Sequence, residues 1–138
     1  MVKRDVIKER LNQLITSLEK IKRYQNLSLE GFLEDDIAQD VVEYNLFIAI
    51  NMIIDMVMHI VTDERLGYAK TFGEAFEILH KKGYISREEL DTYRSMVGLR
   101  NILSHEYIKI NKKLVYDVMQ NKLDDLKKFI FFINDNFM

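Results

Sequence analysis

Along residues 4 to 25, Val6, Ile7, Leu11, Leu14, Ile15, Leu18 and Ile21 recur at spacings of three and four, with Lys, Arg and Glu between them. That period predicts an amphipathic helix with one face turned to a core. "NLSLEGFLEDD", residues 26 to 36, breaks the period at Ser28 and Gly31 and predicts a loop holding one short turn. Residues 37 to 62 predict the central helix, with Asp35 or Asp36 as its N-cap. A polar connection over 62–71 ends in Thr71, a second cap, and a short helix follows over 73–81, stopped at Gly83. Ser86 and Glu89 have the spacing of a capping box and open a helix that runs to about Leu103. Over 111–135, Leu114, Val115, Val118, Leu123, Leu126, Ile130 and Ile133 give the stripe of a last helix.

Four main helices, one short one and no strand pattern predict an all-α fold, an up-and-down four-helix bundle with one additional short helix. The length of 138 residues suits one domain over 1–138 and is enough to bury a core without staples. Apolar residues at 48% and charged residues at 30% are those of a folded globular chain. There is no proline, so few turns are punctuated and long helices are favoured.

The absence of cysteine removes disulfides and thiolate metal sites and is compatible with a reducing, cytoplasmic setting. The opening "MVKRDVIKERL" carries charges every few residues and no apolar leader. The most apolar stretch, "LFIAINMIIDMVMHIV", is interrupted by Asn51, Asp55 and His59, which argues against a membrane span and a membrane partner. The net charge is −2. The balance is not that of a protein that coats nucleic acid, so any RNA contact has to be local.

Asn51, Asp55 and His59 stand at steps of four and form one polar line on the central helix. Two readings stay open. The line is the solvent face, or the helix is buried all round and its polar line meets partner groups, with Asp55 accepting from an arginine. Asp55 and His59 are also two metal ligands one turn apart, but a metal needs three or four, and no third is placed by the sequence. No metal and no cofactor are expected.

"MVGLRNILSHEY", residues 96 to 107, sets Arg100, Asn101, His105 and Tyr107 into an apolar helical segment. Histidine moves protons near neutral pH, and the guanidinium fork of arginine matches phosphate oxygens. The pair is a minimal kit for cutting RNA through its own 2′-hydroxyl without metal. From the residues alone, an arginine and a histidine five apart more often serve a structural ion-pair or cap role than catalysis. On a continuous helix, positions 100 and 105 lie roughly 140° apart. Either the helix ends near Ser104 and lets His105 swing back, or a second chain completes the site. Tyr107 shares the side of His105 if "HEY" is extended. Gly98 costs about 1 kcal/mol in mid-helix relative to alanine. Close approach of another helix there is the expected compensation.

This stretch resembles the signature of the HEPN superfamily, in its HepT-like branch: Arg, four residues, His, one residue, Tyr, read here as Arg100, His105 and Tyr107. Asn101 matches the residue after the arginine, and Met96 and Gly98 match the preceding Met-x-Gly. "TFGEAFEILHKKGYIS" before the motif, "VYDVMQNKLDDLKKFI" after it and the central "IAINMIIDMVMHIV" are similar to that branch as well. The resemblance implies a homodimer whose paired Arg–His motifs face each other across an RNA-binding cleft. It implies a metal-independent endoribonuclease acting as the toxin of a type II toxin–antitoxin pair. The partner is a nucleotidyltransferase-fold (MNT) antitoxin, which in some pairs transfers AMP to the motif tyrosine, here Tyr107. In that reading Arg100 stabilises the phosphate, His105 is general acid or base, and Asn101 orients the site. Asp55 is expected to help orient Arg100 from the central helix. Lys109, Lys112 and Lys113 are expected RNA contacts, or else a solvated loop and helix start. The alternative is the same fold as a non-catalytic nucleotide- or protein-binding HEPN module.

Overall fold

The computed structural model describes residues 2–105 and 109–138. Among them are seven helices and no strand: α1 (Arg4–Lys22), α2 (Leu29–Glu34), α3 (Asp36–Asp63), α4 (Phe72–Lys81), α5 (Arg87–Leu103), α6 (Lys112–Asn121) and α7 (Leu123–Phe137). The caps read from the sequence close the helix starts. Asp35 accepts from the Ala38 N–H, Thr71 from Glu74, and Ser86 and Glu89 form the reciprocal box. Gly83 takes φ 84° just after α4, a left-handed turn that favours glycine.

α3 is the axis of the bundle and packs against each of the other helices. Leu46, Ile50, Ile53, Val57 and Ile60 along it are buried. Ile7, Leu11, Leu14, Leu18 and Ile21 of α1 lie in the same core, with Phe76 and Leu79 of α4, Leu90 and Tyr93 of α5, and Phe129 and Ile133 of α7. Burial drives the Tyr93 phenol well above its ordinary pKa, so it stays neutral. By length and composition α3 could cross a membrane, but 56% of its apolar window is buried inside the protein, as befits a core helix.

Two elements differ from the expectation. The turn within 26–36 is a full short helix, α2, because Ser28 caps it and Gln39 of α3 donates to the Phe32 and Leu33 carbonyls at its far end. The last helix is two helices meeting at Lys122, whose φ of −118° and ψ of −4° depart from the regular α-helix. The core stripe runs through this joint at Val115, Met119, Leu123 and Leu126, so its period carries no sign of the break. Tertiary hydrogen bonds hold α6 at its own angle. Tyr116 Oη donates to the Leu27 carbonyl at 2.8 Å, and Gln25 Nε2 donates to the Met119 carbonyl at 2.8 Å.

Gly98 also departs from expectation. Among the described residues, a Cβ built there meets nothing within 4 Å, so no helix packs closely on it. It is exposed along a groove between α5 and α6 that also presents Ile102 and Leu114.

Candidate active site

Arg100 is in the last turn of α5, facing α3 and the first residue of α4. Its Nε donates to Asn51 Oδ1 at 2.7 Å, and its Nη1 donates to Asn101 Oδ1 at 3.2 Å. The guanidinium carbon stands over the rings of Phe47 and Phe72, 5.5 Å from each centroid. Each contact of this kind contributes about 0.5–2 kcal/mol, and a hydrogen bond to a charged group about 1.5–3 kcal/mol. Together they fix the plane of the guanidinium. Among the described residues nothing accepts from Nη2, so that edge is available to an oxyanion.

α5 ends at Leu103, with Ser104 as its C-cap. Ser104 Oγ donates to the Asn101 carbonyl at 2.8 Å, and the His105 N–H donates to the Ile102 carbonyl at 3.2 Å. The helix therefore stops before His105, and the separation of a continuous helix does not apply. His105 is exposed and lines a cavity of about 800 Å³ with Phe47, Lys109 and Lys112. Phe47 thus borders both motif residues: Arg100 stands over its ring, and His105 shares its cavity.

Asp55 is placed differently from the expectation. It accepts from Arg10 Nε at 2.5 Å and stands 3.8 Å from His59 Nε2, while Asn51, one turn earlier on α3, holds Arg100. The hydrogen bond and charge of Asp55 raise the pKa of Arg10 further. The polar line on α3 thus does meet partner groups, half-buried rather than fully buried. Among the described residues no three His, Asp or Glu side chains converge as a metal cluster.

The lysines separate. Lys109 is exposed at the His105 cavity. Lys112 lines it too, but its Nζ lies 2.8 Å from Glu43, a carboxylate only 14% exposed, so its charge is already matched. Lys113 is exposed and outside that cavity. Tyr107 lies outside the described residues. The sequence reading missed Phe47 and Phe72. Extending the line of fours from Asn51 back to Phe47 and Glu43 would have found the first.

With this geometry in view, the comparisons are specific. The family model for HepT-like ribonucleases matches residues 14–133, and the chain belongs to that family. The mRNA nuclease HepT of Shewanella oneidensis is 34% identical over 122 residues, covering 87% of this chain and 92% of that protein. The tRNA nuclease HepT of Aphanizomenon flos-aquae is 29% identical over 129 residues, covering 94% and 88%. The tri-AMPylated HEPN toxin of Shewanella oneidensis, solved in complex with its MNT antitoxin, superposes with a TM-score of 0.87 at 29% identity, over 96% of this chain and 98% of that one.

Proposed function

We propose that this chain is a metal-independent endoribonuclease, the toxin of a type II toxin–antitoxin pair, cutting RNA in the cytoplasm at an Arg–His site in a homodimer cleft. The observation that carries the reading is the fixed guanidinium of Arg100 beside the His105 cavity, in a member of a ribonuclease family. Relatives named as mRNA and tRNA nucleases support RNA as the substrate, and the relative solved with an MNT antitoxin supports a partner of that kind.

In the reaction, His105 takes the proton of a ribose 2′-hydroxyl, and the 2′-oxygen attacks the adjacent phosphorus. The bond to the 5′-oxygen breaks, and the imidazolium of His105 gives its proton to that oxygen, which returns the histidine to its neutral form. Arg100 binds the non-bridging oxygens where charge develops, its fork held in advance by Asn51 and Asn101. The products are a 2′,3′-cyclic phosphate and a 5′-hydroxyl end. No step calls on a metal ion. The AMPylated state of the solved relative supports AMP transfer to Tyr107 as the control. A phosphate on Tyr107, two residues along the chain from His105, adds negative charge that repels RNA.

The test is cleavage of tRNA and mRNA in EDTA by wild type, Arg100→Ala and His105→Ala. Wild type is expected to cut at an unchanged rate in EDTA, with both variants reduced at least a hundred-fold. A single 2′-deoxy substitution at the cut site is expected to block it. Cleavage lost in EDTA, or equal in the three proteins, would overturn the reading.

A further inference from the structure

Tyr44 is a large aromatic residue on the central helix of the bundle, yet 63% of it is exposed. It does not stand on bare surface. With Asp40, Glu43 and Phe47 it forms the α3 wall of the same cavity of about 800 Å³ that His105 lines. Asp40, Tyr44 and Phe47 fall at steps of four and three, so they share one side of the helix. Leu103 and Ser104 at the end of α5 stand opposite, and Lys109 borders the cavity.

The chemistry of this cavity is mixed in a telling way. One aromatic ring is exposed, and a second, Phe47, carries Arg100. Two carboxylates, Asp40 and Glu43, the Ser104 hydroxyl and two ammonium groups, Lys109 and Lys112, surround them, and Glu43 and Lys112 match each other. The centre of a subunit contact is depleted of charge, and this cavity is not. It suits a ligand with a flat aromatic face, polar edges and an attached anion, which describes a nucleotide. The volume falls within the range of small-molecule sites. Single-stranded RNA is held largely by stacking its bases on exposed aromatic side chains. Phe47 links the two halves, since the phosphate-binding guanidinium stands over its ring while the cavity opens beside it.

We propose that the cavity between Tyr44 and His105 is a nucleobase subsite, in which a base next to the scissile phosphate stacks on the Tyr44 ring. The proposal rests on the ribonuclease reading for the identity of its ligand. Tyr44 positions the RNA strand, and its ring, not its hydroxyl, is what acts.

The experiment uses the full chain as wild type, Tyr44→Phe, Tyr44→Ala and His105→Ala. A fluorescent 12-nucleotide 2′-O-methyl RNA, which lacks the attacking hydroxyl, reports binding by anisotropy. Unmodified RNA of the same sequence reports cleavage. Light scattering follows the oligomeric state. Tyr44→Ala is expected to weaken binding of the 2′-O-methyl RNA and to lower kcat/KM by about ten-fold or more, the size of one lost base stack. Tyr44→Phe is expected to stay within about two-fold, since the ring is kept. The subsite is overturned if Tyr44→Ala binds like wild type, if Tyr44→Phe falls as far as Tyr44→Ala, or if Tyr44→Ala alters the oligomeric state instead. If wild type binds the RNA through Tyr44 but cuts no better than His105→Ala, the nuclease reading falls and the subsite stands. If wild type cuts and Tyr44→Ala cuts as well, the subsite alone falls.

Discussion

Arg100 is held at Nε, at Nη1 and over two aromatic faces, so its usefulness depends on neighbours that do not themselves touch substrate. Asn51 is the most exacting of them. Asn51→Ala removes the acceptor at Nε and frees the fork to rotate. A hydrogen bond to a charged group is worth about 1.5–3 kcal/mol, so kcat is expected to fall about ten-fold or more. Asp55→Asn is the contrasting variant. It leaves every contact of Arg100 in place and weakens only the pairing of Asp55 with Arg10 and His59, side chains that are 40%, 32% and 39% exposed. Solvent screening limits that cost to about 1 kcal/mol or less, and kcat is expected to stay within about two-fold. Single-turnover cleavage of the two variants, with thermal melts alongside, checks both. A larger loss in Asp55→Asn would restore it as the orienting group. The motif names Arg100, Asn101 and His105 as candidates directly, because a resemblance reads residues in order. It did not separate Asn51 from Asp55. Both face the same side of α3, about 6 Å apart, and the height at which α5 crosses α3 decides between them. Asp55 was already claimed from the opposite direction by the full charge of Arg10.

Among the elements, whatever is written in local chemistry was legible. Thr71 and the box of Ser86 and Glu89 begin helices where their side chains satisfy open N–H groups, and Gly83 ends one. What depends on distant partners was not. The joint at Lys122 has no glycine or proline to mark it, and the hydrogen bonds that fix α6 come from Gln25 and Leu27. Gly98 shows the same limit from the other side. Its cost in mid-helix suggested a neighbour, yet within the chain its Cβ position is open. Gly98→Ala is therefore expected to stabilise the protein by about 0.5–1 kcal/mol, through helix propensity and a less flexible unfolded chain. In a melt that is a rise of a few degrees. A fall instead, together with a smaller species in light scattering, would put Gly98 at the contact between subunits.

At the scale of the whole molecule, the acidic balance constrains how RNA can be held. Net charge is −2, and several cations are already paired: Lys112, at the cavity, with Glu43, and elsewhere Arg10 with Asp55 and Arg94 with Glu77. Among the described residues at this site, Arg100 and Lys109 are the cations not matched by a carboxylate, which on the proposed reading gives about two phosphate contacts per subunit. Counterion release from single strands gives a slope of about −0.7 per contact in log K against log salt. A strand crossing both subunits of a dimer should then show a slope no steeper than about −3. Between about 50 and 200 mM salt that is a loss of at most about sixty-fold, against about three-hundred-fold or more for a single-strand binder making six or more phosphate contacts. Anisotropy of the 2′-O-methyl RNA across that range measures the slope directly. A shallow slope means that stacking and the held guanidinium supply the affinity that charge does not. A slope steeper than about −4 would require a path across cations outside this cavity, and the strand would have to be re-routed over another face of the bundle.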